Sequence, residues 1–218
     1  MAKHNSKSSS RSQNRSFVIG VAGGSGSGKT TLVDSFCAAF SVKTTVISQD
    51  LYYRDLRNMS LEDRVRVNFD HPDSLEIDLM TSQINQLAEG RAINAPVYDF
   101  HNHTRNGQQR ISPAEIIIVE GTLALAIEPV CSCFDYSVFI DAPADIRLLR
   151  RIERDLQDRG RTLDDVKWQY FHTVRPMYEK YIAPSKSKAD LIIDGALPID
   201  ALSKQFVSEV KKLMYQGS

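Results

Sequence analysis

The sequence predicts an α/β chain with a five-stranded parallel sheet flanked by helices, and three observations carry that expectation. From Phe17 onward, short apolar runs alternate with amphipathic stretches, the rhythm of βα units. The runs are nearly continuous in apolar character rather than alternating, as strands covered on both faces are. With 218 residues, 42% hydrophobic and 25% charged, the chain can bury one sizeable core.

The elements follow in order. Residues 1–16 carry Lys3, Lys7, Arg11 and Arg15 among serines and asparagines, with no acidic residue, so a disordered tail is expected before a single domain over 17–218. Strands are predicted at Phe17–Ala22, Thr44–Ser48, Ile116–Val119, Tyr136–Ile140 and Leu191–Ile193. Helices are predicted after Lys29 and at about Asp73–Ala88, Ala144–Gln157, Leu163–Tyr181 and Ile199–Met214. Asp73 with Glu76, and Thr162 with Asp165, have capping-box spacing. Over 95–112 the pattern turns strand-like around Asn106-Gly107, which predicts a β-hairpin flap turning at that dipeptide.

Composition excludes several classes. The 27 basic and 27 acidic residues cancel, which offers no bulk attraction to nucleic acid or an anionic membrane. No apolar run is long enough to span a bilayer and no secretory signal is legible, so a cytoplasmic protein is expected. Cys37, Cys131 and Cys133 lack zinc-site spacing and read as reduced structural thiols.

The most specific motif is Gly23-Gly24-Ser25-Gly26-Ser27-Gly28-Lys29-Thr30, with Thr31 following, set between a predicted strand and a predicted helix. Its glycines let backbone N–H groups converge on phosphates, and the helix adds the positive end of its dipole. Lys29 would reach the terminal phosphates, and Thr30 offers a hard oxygen to Mg²⁺. The loop implies a bound nucleoside triphosphate and names no acceptor.

Ligands of open parallel sheets sit beyond the strands' carboxyl ends, where Asp50 follows the second strand and Glu120 ends the third. Asp50 is read as the base for an acceptor hydroxyl, with a share in the metal, and Glu120 as a metal carboxylate. Asp141 and Asp194 occupy similar strand ends, so position alone does not discriminate. Six arginines lie between Arg147 and Arg161, over a predicted lid region at 144–161. On a helix Arg147, Arg151 and Arg154 share one side while Leu148, Ile152 and Leu156 share the other, so the leucine stripe is expected to pack and the guanidinium stripe to face outward.

These segments resemble the uridine/cytidine kinases, a family of P-loop nucleoside kinases related to phosphoribulokinase. The resemblance runs from Phe17 to about Gly195 and rests on the phosphate loop, Gln49-Asp50, Tyr53-Arg54, Asn68-Phe69-Asp70-His71-Pro72-Asp73 and Pro96-Val97-Tyr98-Asp99-Phe100. It continues through His103-Thr104-Arg105, Glu120-Gly121, Arg150-Arg151-Ile152-Glu153-Arg154-Asp155 and Arg159-Gly160-Arg161. It implies a fold like that of the nucleoside monophosphate kinases, ATP or GTP as donor, Mg²⁺ as cofactor held by Thr30, Glu120 and Asp50, and transfer to the 5′-hydroxyl of uridine or cytidine. By the same resemblance Asp70 and Arg161 hold the ribose, Tyr53 sits in the acceptor site, and Tyr98, Phe100 and His103 enclose the base. Arg151 and Gln169 complete that pocket, Arg154 and Arg159 belong to the lid, and a homotetramer is implied. Leu51-Tyr52, Ser74-Leu75 and Thr122 depart from the family's usual residues beside the acceptor site.

Two other readings share parts of this pattern. A phosphoribulokinase-like kinase of another small metabolite would use the same loop and acids but needs an acceptor pocket that binds phosphate. A non-enzymatic nucleotide switch would lack the acceptor pocket, and neither an Asn-Lys-x-Asp element nor an Asp-Glu pair at the third strand accompanies the loop.

Overall fold

The computed structural model describes residues 15–215. Most of the basic tail therefore lies outside the described residues, and Arg15 pairs with Asp135 at 2.7 Å. Five parallel strands, β1 (Phe17–Gly23), β2 (Thr44–Ser48), β5 (Ile116–Glu120), β6 (Tyr136–Asp141) and β7 (Leu191–Asp194), form a sheet ordered β2-β5-β1-β6-β7. Each predicted strand is present within a residue or so of its expected ends.

The sheet is covered on both faces, as its uninterrupted apolar strands require. Ile19, Val21, Ile116, Ile118, Val138 and Ile140 face α1 (Lys29–Ala39) and a C-terminal helix over Ile199–Tyr215, closing around Phe36 and Phe206. Val18, Ile117, Val119 and Phe139 face the other core, which includes Met80, Ile84 and Leu87. Between these helices run the short α2 (Leu61–Arg64), α3 (Ile77–Ala88), the short α4 (Glu128–Cys131), α5 (Ala144–Asp158) and α6 (Leu163–Gln169).

Three local expectations are corrected. The helix expected from Asp73 begins at Ile77, because Leu75 is drawn into an antiparallel bridge with Tyr53 and Glu76 pairs with Arg105 at 2.8 Å. The backbone N–H of Asp73 is taken by His71 Nδ1, so no Asp73–Glu76 capping box forms, whereas the Thr162–Asp165 box is complete. The hairpin exists as β3 (Ile93–Asp99) and β4 (Thr104–Ile111), but it turns at 100–103. Asn106-Gly107 instead forms a bulge inside β4, where the register shifts and Gly107 adopts φ +90°. A glycine free to take positive φ suits a bulge as well as a turn.

The segment from Leu163 to Lys188 stays helical, but two π-turns, Tyr170–Val174 and Tyr178–Ile182, interrupt it. Each precedes a proline, Pro176 or Pro184, whose missing N–H and bulky ring break the ordinary hydrogen-bond ladder. The α-helical turns α7 (Arg175–Met177) and α8 (Ala183–Ser185) lie within this segment, and α9, the helix over Ile199–Tyr215, follows.

Candidate active site

Parallel pairing of β1, β2 and β5 decides which acids meet the phosphate loop. Ser48 lies in register with Glu120, and Glu120 with Val21, so the ends of the three strands open together. Ser48 Oγ donates to Glu120 Oε1 at 2.8 Å and caps the single turn that carries Asp50. Asp141 and Asp194, equivalent by position in the sequence, are committed elsewhere. Asp141 is ion-paired with Lys186, and Asp194 accepts from the backbone N–H of Ala196 at 2.9 Å.

The loop itself has the strained geometry its glycines allow, with φ +151° at Gly23, +79° at Gly26 and +97° at Gly28, the residue before α1. At Gly24 and Gly26 any side chain would run into Arg147, whose Nε donates to Ala142 O at 3.0 Å. Lys29 is buried, and its ammonium donates to the carbonyls of Gly23 and Gly24 at 3.0 and 3.1 Å. Burial lowers its pKa against the opposing pull of Glu120 and Asp50. Burial likewise raises the Glu120 carboxyl, countered by Lys29 and the Ser48 hydrogen bond. Thr30 and Ser25 line the cleft, while Thr31 is exposed on the first turn of α1 and Ser27 is fully buried under the loop.

The cleft beyond the loop encloses about 720 Å³, inside the range of roughly 300–1,000 Å³ usual for small-molecule sites. It brings together Asp50, Tyr53, Asp70, Tyr98, Phe100, His103, Glu120, Arg151, Arg154, Arg159, Arg161 and Gln169 with Ser25, Lys29 and Thr30. Every predicted acceptor and metal residue thus faces one cavity. Tyr53 turns its phenol toward Asp50, and burial and that carboxylate together hold the phenol protonated, far above its usual range. Its ring lies 5.3 Å from Tyr98 and 5.2 Å from Phe69. Phe69 in turn stacks on His103 at 4.8 Å. Burial, then the charges of Arg161 and Arg64, lower the His103 pKa and favour its neutral ring. The Tyr98 hydroxyl is buried and has no hydrogen-bond partner, a costly state.

The arginine helix departs from the sequence expectation. Arg147 and Arg151 are 5% and 6% exposed and Arg154 is half-buried, whereas of the apolar stripe Leu156 is 42% exposed and Leu148 and Ile152 are only half-buried. The guanidinium side of α5 faces inward because it finds partners there. Arg151 donates to Ser25 Oγ at 2.8 Å and to Gln169 Oε1 at 3.0 Å, and Arg147 lies over the Tyr178 ring at 3.8 Å. The hub is Asp155, wholly buried, with ion pairs to Arg154 at 2.7 Å, Arg161 at 2.8 Å, Arg151 at 3.5 Å and Arg159 at 3.7 Å. Burial alone would push the Asp155 carboxyl up, but these guanidiniums outweigh it and hold it below the ordinary range.

Sequence reasoning missed Asp155 as the organiser of these arginines, although its i,i+4 spacings from Arg151 and to Arg159 were a usable signal. It also missed Thr173, which lines the cleft and donates to Asp70 Oδ2 at 3.2 Å and to Gln169 O at 2.9 Å. No periodicity points to it, because a π-turn sets its direction. Val65, Val67 and Trp168 complete the wall.

A buried phosphate loop, acids at the ends of β2 and β5, and a cavity of aromatic and cationic walls describe a phosphotransferase with a small acceptor. The comparisons agree. The chain is similar to a uridine kinase of Lactobacillus helveticus, 41% identical over 88% of this chain and 94% of the relative, and to one of Halalkalibacterium halodurans, 45% identical over 82% and 86%. Its fold resembles a putative fructose transport system kinase of Silicibacter (TM-score 0.68, 22% identical, 85% of this chain and 92% of that one). It likewise resembles the phosphoribulokinase of Rhodobacter spheroides (TM-score 0.60, 18% identical, 85% and 74%). The family model of phosphoribulokinase / uridine kinase matches residues 18–201, so the chain belongs to that family of kinases.

Proposed function

We propose that this chain is a uridine/cytidine kinase, which transfers the γ-phosphoryl of ATP or GTP to the 5′-hydroxyl of a pyrimidine ribonucleoside. The observation that carries the reading is the composition of one cavity, which Lys29, Thr30 and Asp50 share with an aromatic wall of Tyr53, Phe69, Tyr98 and Phe100. A planar base fits such a wall, whose rings offer it stacking faces.

In this mechanism Asp50 accepts the 5′-hydroxyl proton as the new O–P bond forms and the bond between the γ-phosphorus and the bridging oxygen breaks. Lys29, Arg154 and Arg159 face the charge that develops on the transferring group. Asp70 and Arg161 hold the ribose hydroxyls. Arg151 and Gln169, bonded to each other, close the acceptor pocket beside Tyr53, Tyr98, Phe100 and His103. Among the described residues no three His, Cys, Asp or Glu side chains form a metal cluster. The hard oxygens of Thr30, Glu120 and Asp50 suit Mg²⁺, which keeps most of its shell as water and substrate oxygens. When bound, the ion supplies charge neutralisation at the phosphates.

Uridine-dependent ADP release is the direct test. Asp50→Asn should retain ATP binding and lose turnover. Undiminished turnover removes Asp50 as the base, and a wild-type protein that phosphorylates a sugar phosphate while ignoring nucleosides refutes the acceptor assignment.

A further inference from the structure

Arg105 does not line the cavity, yet it joins two of the segments that do, the hairpin strand carrying Tyr98 and the turn after Asp50. It lies on β4 directly opposite Tyr98 in the hairpin ladder. Its side chain is 16% exposed, and all three guanidinium nitrogens are committed: Nε to Tyr53 O at 3.1 Å, Nη2 to Tyr52 O at 3.3 Å, and Nη1 to Glu76 Oε2 at 2.8 Å. Tyr52 and Tyr53 are the second and third residues after Asp50, and Glu76 immediately precedes α3. One planar fork thus ties the strand that presents Tyr98 to the turn that presents Asp50.

Two further contacts hold the hairpin from a neighbouring segment. Arg57 Nη2 donates to the carbonyl of Arg105 at 2.9 Å, and Arg64 Nη1 to Asn102 O at 2.9 Å in the hairpin turn. These run from the 54–66 segment, whereas the Arg105 side chain hydrogen-bonds the backbone of the turn after Asp50.

We propose that Arg105 is a positioning residue for phosphoryl transfer, which sets the distance between the aromatic end of the acceptor pocket and the carboxylate of Asp50. The proposal rests on the nucleoside-kinase reading above. The acceptor is gripped at its base and reacts at its 5′-oxygen, with few rotatable bonds between them, so the site must hold two contacts at a nearly fixed separation. A displacement of about 1 Å in such geometry lowers rates by about a hundredfold. A guanidinium suits this role because its donors are coplanar and rigidly spaced, and a lysine ammonium cannot span the same three acceptors in one plane.

The test compares wild type with Arg105→Lys, Arg105→Met and Glu76→Gln. For each, uridine and ATP are varied separately, UMP and ADP are both quantified, ATP binding is measured directly, and thermal unfolding is recorded. For Arg105→Lys and Arg105→Met, kcat for UMP formation should fall at least tenfold and the uridine KM should rise several-fold. The ATP dissociation constant should stay within twofold, and the ADP-to-UMP ratio should exceed one as water competes for the phosphoryl group. Glu76→Gln, which leaves both carbonyl contacts, should lose only two- to fivefold in kcat, and it tests the linkage even if the Arg105 variants do not fold. Variants with a lowered unfolding temperature but wild-type kcat, KM and product ratio would show that Arg105 is only a folding staple. A wild-type enzyme inert toward nucleosides overturns the functional reading and this proposal together. An active wild type with unaffected variants overturns this proposal alone.

Discussion

Replacing Asp155 by asparagine tests how the lid is organised, because it removes one negative charge from a site where four guanidiniums converge. Arg154 and Arg161 bond to separate carboxylate oxygens at 2.7 and 2.8 Å, and Arg151 and Arg159 stand at 3.5 and 3.7 Å. Removing one partner of a buried ion pair typically costs about 3–5 kcal/mol. Arg154, Arg159 and Arg161 keep 34%, 38% and 24% of their side-chain surface exposed, so solvent screens part of that cost. About 3 kcal/mol is therefore expected, which for a chain of this size lowers the unfolding midpoint by roughly 6–12 °C. An asparagine offers one acceptor oxygen instead of two, and the arginines then repel one another without a common anchor. Arginines that stabilise a phosphoryl-transfer transition state are worth about 10³-fold or more, and arginines that remain but lose their aim should cost about 10²-fold in kcat. The ATP KM should not rise, because the local positive charge increases. The pH dependence carries a sign as well. The folded-state pKa of Asp155 is depressed, so its stabilisation is present above the unfolded value and is lost as pH falls through the folded one. Wild type should therefore lose more stability than Asp155→Asn on acidification below about pH 4, the ordinary aspartate value. Stopped-time assays of uridine-dependent ADP release, run below both unfolding transitions, provide the measurement. A kcat within threefold of wild type would refute the idea that Asp155 aims the lid.

Tyr98→Phe should leave the protein as stable as wild type or more so by about 1 kcal/mol, since it deletes a buried hydroxyl with no partner. Because the hydroxyl is closed off from the cavity, the same change should leave the uridine KM within about threefold, and paired thermal and kinetic measurements check both expectations. Burial and the neighbouring arginines hold the His103 pKa below the ordinary histidine value, so the uridine KM should be flat through neutral pH and rise only on acidification below that ordinary value of about 6.5. His103→Gln should abolish that rise in a KM-versus-pH series. Gly121→Ala would place a methyl inside the van der Waals envelope of fully buried Gln49, whose Oε1 accepts from Leu123 N–H at 2.9 Å. A loss of about 1–3 kcal/mol is expected from such overpacking, measurable by urea unfolding, with kcat reduced because Asp50 and Glu120 flank the clash.

The strands and the phosphate loop were legible because each rests on local pattern: uninterrupted apolar runs, and glycines at fixed spacing before Lys29. The errors occurred where a tertiary partner outbid the local rule. Asp73 and Glu76 have the spacing of a capping box, but His71 takes one partner and Arg105 the other. Asn106-Gly107 is a hairpin signal only when it lies at the end of the ladder, and here Asp99 organises the turn by accepting from the N–H groups of His101 and Asn102. The face of α5 was misjudged for a deeper reason. Amphipathicity says that a helix has two sides and leaves open which side is covered. Arginines go inward when a buried carboxylate receives them, and Asp155 lies on their own face.

The two halves of the cleft are built on opposite principles, which bears on how the enzyme discriminates donor from acceptor. The acceptor half is held by neutral stacking among Tyr53, Phe69, Tyr98 and His103 and by the Arg105 fork, so its shape is fixed before anything binds. The arginine cluster between that pocket and the phosphate loop sets four guanidiniums around one carboxylate, and burial and mutual repulsion depress the pKa values of Arg151 and Arg159. That excess charge makes sense in a chain whose total charge is zero only if a polyanion completes the site, since desolvated cations without partners are expensive. A preformed neutral pocket selects by shape. A cluster with more guanidiniums than carboxylates selects by charge, and in the mechanism proposed above Arg154 and Arg159 are the two expected to gain partners when the donor's phosphates bind.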